Sequence, residues 1–388
     1  MAVIDDAQEF LRSNNIDGWL LYDYYQSNPS LWDIVGERAH LTRPCFYFIP
    51  PRGRPVFLVH HVDAGRLGST KAEIRVFSGR SEMIDNLRLI LSRRRHIAME
   101  YSPEAALPRV SRVDGGTFEL IRGLGVDIVS SADLLQFTTA RWSPEQLETH
   151  RSAADKLGRI VMDAFRYIAT ELNSRPTEYD VYQFIRARFR DEGLEVLDGP
   201  IVSVNEHSSD PHYQPEKKGS AVMKEGDWVL IDLWARELQP NSVFADITWV
   251  GYIGEVLPKK HREVFEVVAQ ARDLAFECLL EAHESGKPLQ GWQVDQVARD
   301  YIEKASYGNA FSHRLGHSLG RQVHGEGVNL DNLETHDTRK ILPGVGLTIE
   351  PGIYLGEFGV RSEIDVYMGE EGPQITTPVQ SQVVSIVP

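Results

Sequence analysis

Cysteine is scarce in this chain: two in 388 residues, Cys45 and Cys278, far apart and each in an apolar setting. That excludes a disulfide scaffold and fits reduced thiols, the cysteine usage of a cytoplasmic protein. No apolar run approaches the roughly 20 residues needed to cross a bilayer. The opening MAVIDDAQEF has no basic stretch followed by an apolar one, so no signal peptide is expected. Positive charge is also short, with 41 Lys and Arg against 56 Asp and Glu and a net charge of -15. A nucleic-acid backbone is therefore a poor partner, and a membrane is not expected either. The one basic run, Arg93-Arg94-Arg95-His96, closes an apolar helical pattern and reads as a solvated helix end.

What is present fits two domains, since the chain is too long for one typical core. Residues 1–140 alternate helix and strand, as an α/β domain does. Helices are expected over Ala7 to Asn14, Ser81 to Leu91 and Gly115 to Leu124, and strands over Gly18 to Tyr22 and His96 to Glu100. Cys45 to Ile49 and Pro55 to Val59 flank Pro50-Pro51-Arg52-Gly53, a hairpin signal. His60-His61 has no partner nearby in sequence and reads as an ordinary strand end. The boundary falls within Phe137 to Ser143, where Ser143-Pro144-Glu145-Gln146 supplies a cap, a first-turn proline and an acidic first turn. Residues 141–388 then repeat one order twice: long helix, shorter helix, strands. The first pass starts at Ser143 and the second at Lys259. This implies a pseudo-symmetric α+β domain with its site between the halves.

The chemistry concentrates in Phe311 to His324, FSHRLGHSLGRQVH, which carries three histidines. His313 and His317 are spaced like the helical pair of a zinc protease, but Arg314 stands where the glutamate base would be. Glycines at 316 and 320 would each cost a helix about 1 kcal/mol. An extended, bent segment fits better, with residues 313, 315 and 317 on one face. Four acids lie in strand-like sequence beside turn signals: Asp232 in VLIDLW, Asp246 in VFADITW, Glu350 in LTIEPG and Glu363 in GVRSEID. Buried together, four carboxylates could not all ionise without positive charge among them. Two divalent cations would supply it.

These motifs identify the stretch from about 145 to 385 as similar to the pita-bread metallopeptidases: Xaa-Pro aminopeptidases, prolidases and methionine aminopeptidases. Residues 1–140 resemble, in size and pattern, the extra domain of the creatinase and prolidase branch. The resemblance implies an α+β pita-bread catalytic domain and five metal ligands, Asp232, Asp246, His317, Glu350 and Glu363. Asp246 and Glu363 would bridge two divalent ions, Asp232 would complete one shell, and His317 with Glu350 the other. An oxygen-rich set with one imidazole suits manganese first, with cobalt or zinc as alternatives. It also places His212 (in DPHY) on the substrate side, His324 near the scissile carbonyl, and His313 at a position occupied by histidine in prolyl-cleaving members. Arg361 and Thr248 would support the ligands from behind. Glu350 would shuttle a proton to the leaving amine, and His324 would help to stabilise the oxyanion.

Two departures stand out. The two aspartates are fourteen apart (246 − 232), where the family has eleven, and Trp234 occupies the glycine position of Asp-x-Gly. If both strands keep their aspartates side by side, the extra residues lengthen the turn near Gln239-Pro240-Asn241 and Trp234 narrows the cleft. The resulting expectation is a Xaa-Pro aminopeptidase or prolidase acting on small peptides as a homodimer. Two other readings stand beside it: a hydrolase or lyase of a small amidine or amide, and a binding module without catalysis.

Overall fold

The computed structural model describes residues 2–68 and 70–387 and divides into two compact units, the break falling after Thr139. The N-terminal unit is built on six strands: β1 (Gly18–Asp23), β2 (Cys45–Ile49), β3 (Val56–His60), β4 (Glu73–Phe77), β5 (His96–Met99) and β6 (Asp127–Ser130). Their order is β4-β3-β2-β1-β5-β6. The β2–β3 hairpin is antiparallel, and β5 and β6 add in parallel beside β1. Strand β1 is buried along its whole length. Its residues alternate between two cores, Trp19 and Leu21 in one and Leu20 and Tyr22 in the other, because successive side chains leave opposite faces of a strand.

The structure departs from the sequence reading in several places here. The first helix runs over Ala2–Ser13 rather than from Ala7, and His96–Met99 stops short of Glu100. A helix over Pro29–Val35, closed by Gly36 in the left-handed region, and the edge strand β4 were not legible. Nor is the basic run wholly solvated, since the Arg94 guanidinium lies over the Phe48 ring at 4.6 Å.

The C-terminal unit opens with the helix Pro144–Glu171. Ser143 accepts from the Gln146 backbone and Gln146 returns the bond, a complete capping box. The helix Glu178–Asp191 follows, capped by Thr177 and Asp180 in the same way. Next come β7 (Leu194–Glu195), β8 (Ile201–Val204), β9 (Trp228–Glu237) and β10 (Ala245–Ile253). The second pass brings helices Lys259–Glu284 and Gly291–Lys304, then β11 (Ser318–Leu319), β12 (Gly346–Ile349), β13 (Gly352–Tyr354), β14 (Gly359–Arg361), β15 (Ile364–Gly369), β16 (Gly372–Ile375) and β17 (Val384–Ile386). One sheet has the order β17-β10-β9-β7 with β8 also on β9, and a second runs β11-β12-β15-β16.

The β9–β10 hairpin positions the site. Val229, Ile231, Leu233 and Ala235 of β9, with Ala245 and Ile247 of β10, join the core formed by the first pair of helices. Trp228 and Leu230, which alternate with them, join the core formed by the second pair. Further along that face Asp232 interrupts the apolar residues, and it and Trp234 lie on the wall of a cavity. Among the described residues, no helix is long and apolar enough to cross a membrane.

Candidate metal centre and active site

In the β9–β10 register Asp232 pairs with Thr248, and Trp234 pairs with Asp246. The two aspartates therefore share a face but sit diagonally, offset by two residues along the ladder, rather than side by side. Strand alternation fixes the shared face, and the turn sets the offset. Asp232 is 7% exposed and accepts from Arg361 Nη2. Burial pushes its carboxyl upward, and the Arg361 guanidinium opposes that shift. Arg361 also donates to Thr248 Oγ1 at 2.9 Å and to the Tyr354 hydroxyl at 3.1 Å.

Asp246 and Glu363 are in a different condition. Both are at most 5% exposed, yet Asp246 Oδ1 and Glu363 Oε1 have no hydrogen-bond partner. Thr248 Oγ1 donates to the other Glu363 oxygen at 2.7 Å. Burial drives the Asp246 carboxyl well above the usual carboxylate range, and Glu363 and Asp232 drive it further. Glu363 is likewise pushed well up, by burial and by Glu350 and Asp232. An orphaned buried oxygen costs about 1–3 kcal/mol, more where charge is involved. A cation is what two such acids on one cavity wall would accept.

His317 completes this group. Its Nδ1–H donates to Ser318 O at 3.2 Å, and the other ring nitrogen, Nε2, is the one directed at the acids. Nε2 lies 3.4 Å from Glu350 Oε1 and 3.8 Å from Asp246 Oδ2. Ligand atoms of Asp246, His317 and Glu363 all fall within 4.8 Å of one another. Glu350, with its carboxyl raised to about 7 by burial, accepts from Thr348 Oγ1 at 3.2 Å.

The histidine segment is not helical, but its three alternate residues do not share a face. Bends at His313 and Leu315 break the alternation. Leu315 is buried in the apolar core, while His313 and His317 line the cavity. Gly316 is required by close approach, since a Cβ there would lie 2.0 Å from Thr348 O. His313 spends both ring nitrogens inside the protein, on Arg314 O at 2.7 Å and on the Tyr354 hydroxyl at 2.8 Å. Burial first, then Arg361, lowers its pKa to about 3, so it stays neutral. The His324 ring stands edge-on to His317, with centroids 4.4 Å apart. His212 lines the same cavity, which measures about 610 Å³ and takes in Asp232, Asp246, His313, His317, His324, Glu350, Arg361, Glu363 and Trp234.

Three residues of the site were missed in the sequence. Tyr354 holds His313 and Arg361 together. Asp365 is fully buried and accepts from the Asp246 backbone N–H at 2.8 Å. Glu178, also fully buried, accepts from Val204 N, His207 Nδ1, Tyr213 Oη and Ala221 N within 2.6–2.9 Å. It thereby ties down the segment that carries His212. Asp365 follows Glu363 by two residues on one chain, so parity could have flagged it. Glu178 looks like a first-turn helix acid, and no local pattern marks it.

Known proteins share this architecture. Residues 152–370 match the sequence profile of metallopeptidase family M24. Over 263 residues, 67% of this chain and 69% of the relative, the sequence is 29% identical to an uncharacterized peptidase of Staphylococcus aureus strain USA300. Among solved structures, the dipeptidase PepE of Mycobacterium ulcerans superposes with a TM-score of 0.73 at 20% identity, covering 100% of this chain and 97% of that one. The X-Pro aminopeptidase of Thermotoga maritima gives 0.63 at 24% identity, covering 99% of both chains. A prolidase from Thermococcus sibiricus gives 0.65 at 20%, covering 98% of both. These likenesses establish the pita-bread α+β fold. The profile match spans more than half of the chain and encloses every acid of the cluster, and the chain belongs to metallopeptidase family M24.

Proposed function

We propose that the protein is a dinuclear-metal-dependent hydrolase that cleaves the Xaa-Pro bond of short peptides. The observation that carries the metal is the grouping of Asp246, Glu363 and His317 ligand atoms within 4.8 Å, with one buried oxygen of each acid, Asp246 Oδ1 and Glu363 Oε1, left without a hydrogen-bond partner. Asp232, Asp246, His317, Glu350 and Glu363 would hold two divalent ions, and four carboxylates with one imidazole fit manganese, with cobalt or zinc as alternatives. When bound, such ions act as Lewis acids and bring the pKa of water near neutrality.

The protein's own groups supply the rest. Glu350, on the cavity wall beside the other acids, is poised to take a proton from the attacking water and pass it to the leaving nitrogen. That transfer matters for proline, whose nitrogen leaves as a secondary amine and must be protonated as the C–N bond breaks. His324 and His212, on the cavity wall, are placed to donate hydrogen bonds to the developing oxyanion and to the substrate carbonyl. Arg361 and Thr248 hold Asp232 and Glu363 in place, and His313, kept neutral, steadies Tyr354. The fold shared with a prolidase and an X-Pro aminopeptidase supports the choice of bond. We further propose a homodimer in the cytoplasm, the latter in keeping with the unpaired Cys45 and Cys278.

Trp234 on the cavity wall also favours a second reading, hydrolysis of a small non-peptide amide. The test is a panel on manganese-loaded protein: Xaa-Pro dipeptides and longer Xaa-Pro peptides against N-acetyl diamino acids and cyclic amidines. Turnover confined to Xaa-Pro bonds is expected. Turnover confined to the small amides would replace the peptidase reading with the second.

A further inference from the structure

We infer that Trp234 is a fixed wall that sets the length of the substrate on one side of the metal-binding acids, an assignment that rests on the peptidase reading of the site. The β9–β10 register places the indole directly across from Asp246, so anything held against that carboxylate lies beside the ring. The ring is braced from several directions. Its six-membered edge abuts Gly199, where an added Cβ would fall 2.5 Å from both Cη2 and Cζ2. Nε1–H points to Asp198 Oδ1 at 3.4 Å. The ring also packs against the cluster of Trp142, Val243, Phe244 and Leu319. Gly199 has φ +77, a conformation that suits glycine. A side chain at 199 would be strained and would collide with the indole. The 198–199 turn and Trp234 are thus built for each other.

A side chain held this way does not swing aside cheaply, because close-packed neighbours resist displacement. The remaining indole surface faces the cavity beside Asp232 and Asp246. It closes that side at the distance of one strand pair from the second aspartate. A peptide seated with its scissile carbonyl at the acids would run into the ring if it continued in that direction. The consequence is a preference for dipeptides and tripeptides over longer chains.

The experiment compares wild type, Trp234→Ala and Trp234→Phe, all manganese-loaded, on Xaa-Pro dipeptides, tripeptides and pentapeptides of matched sequence. Turnover gives kcat/KM, and calorimetry gives the affinity of each peptide independently of cleavage. Trp234→Ala is expected to raise the pentapeptide-to-dipeptide ratio of kcat/KM about tenfold or more. Trp234→Phe, which keeps a ring but not the bond to Asp198, is expected to stay near wild type. A ratio in Trp234→Ala within about threefold of wild type, or a wild type that takes pentapeptides as well as dipeptides, would overturn the wall. If the wild type cleaves none of the peptides but binds them, the peptidase reading falls and the affinity ratios decide the wall. Absence of both turnover and binding for every peptide would overturn the two together.

Discussion

Each unit of this protein buries carboxylates, and it treats them in opposite ways. In the N-terminal unit Glu100 is fully buried, and both of its oxygens are engaged: Trp19 Nε1 at 2.6 Å and Ser131 Oγ at 3.1 Å on one, Asn28 Nδ2 at 2.9 Å on the other. Its donors are neutral, no second acid crowds it, and burial outweighs their help to raise its pKa to about 7. In the C-terminal unit Asp246 and Glu363 repel each other and leave one oxygen apiece unbonded. A buried acid that is alone and satisfied serves the fold. Buried acids that are crowded and unsatisfied mark a place completed by something other than protein.

The comparison is tested most severely by neutralising an acid of the crowded group. Asp246→Asn should lower activity about a thousandfold or more and release at least one bound ion. In metal-stripped protein the same change should do the reverse of harm. With one repelling charge gone, the thermal midpoint should hold or rise, by about 2–4 °C per kcal/mol recovered. Calorimetric melts with and without a chelator measure both halves. A stripped variant that melts far below stripped wild type would mean that Asp246 is structural after all.

Glu178 sharpens the contrast, because it is buried and fully bonded yet serves the site at one remove. Glu178→Gln keeps the size but turns an NH₂ toward groups that now donate to the carboxylate. We expect kcat/KM to fall about tenfold or more with metal content intact. His212→Ala should make the second change nearly silent, since the two would act through one segment. Full additivity of the two losses would show that Glu178 does not act through His212.

Glu100 should affect stability rather than activity. Its folded pKa of about 7 lies above the ordinary 4.5, so the folded state binds the extra proton between those values. The stabilising contribution is complete below about pH 4.5 and is lost as pH rises through about 7, roughly 3 kcal/mol in all. Denaturant unfolding of the full chain at pH 5 and pH 8 should show that slope for the N-terminal transition, and Glu100→Gln should flatten it. An unchanged slope in the variant would put the titration elsewhere.

Much of this architecture was legible because local signals coincided with the tertiary outcome. Ser143-Pro-Glu-Gln reads as a helix start, and it forms a complete capping box. The alternation in VLIDLW places Asp232 and Trp234 on one face whatever the turn does. The edge strand β4 went unread because most of its residues are exposed, so it has no buried stripe to show. The path of the histidine segment was hidden for another reason. Its bends follow from Gly316 passing against Thr348 O, a contact between residues 32 apart (348 − 316). Glu178 was missed because the partners that give it meaning lie 26 to 43 residues away, where no periodicity reaches, and Tyr354 because its contact with His313 spans 41 residues. The acids of the cluster could be named from their motifs, but their orphaned oxygens could be seen only in three dimensions.

The central claim is that this cluster of acids is a metal centre, and counting metal tests it most directly. The protein is stripped with a chelator, reloaded with manganese, dialysed and analysed for metal per chain, alongside Asp246→Asn and Glu100→Gln. About two ions are expected in the wild type and in Glu100→Gln, and at most one in Asp246→Asn. A wild type that retains no divalent metal under these conditions would contradict the claim.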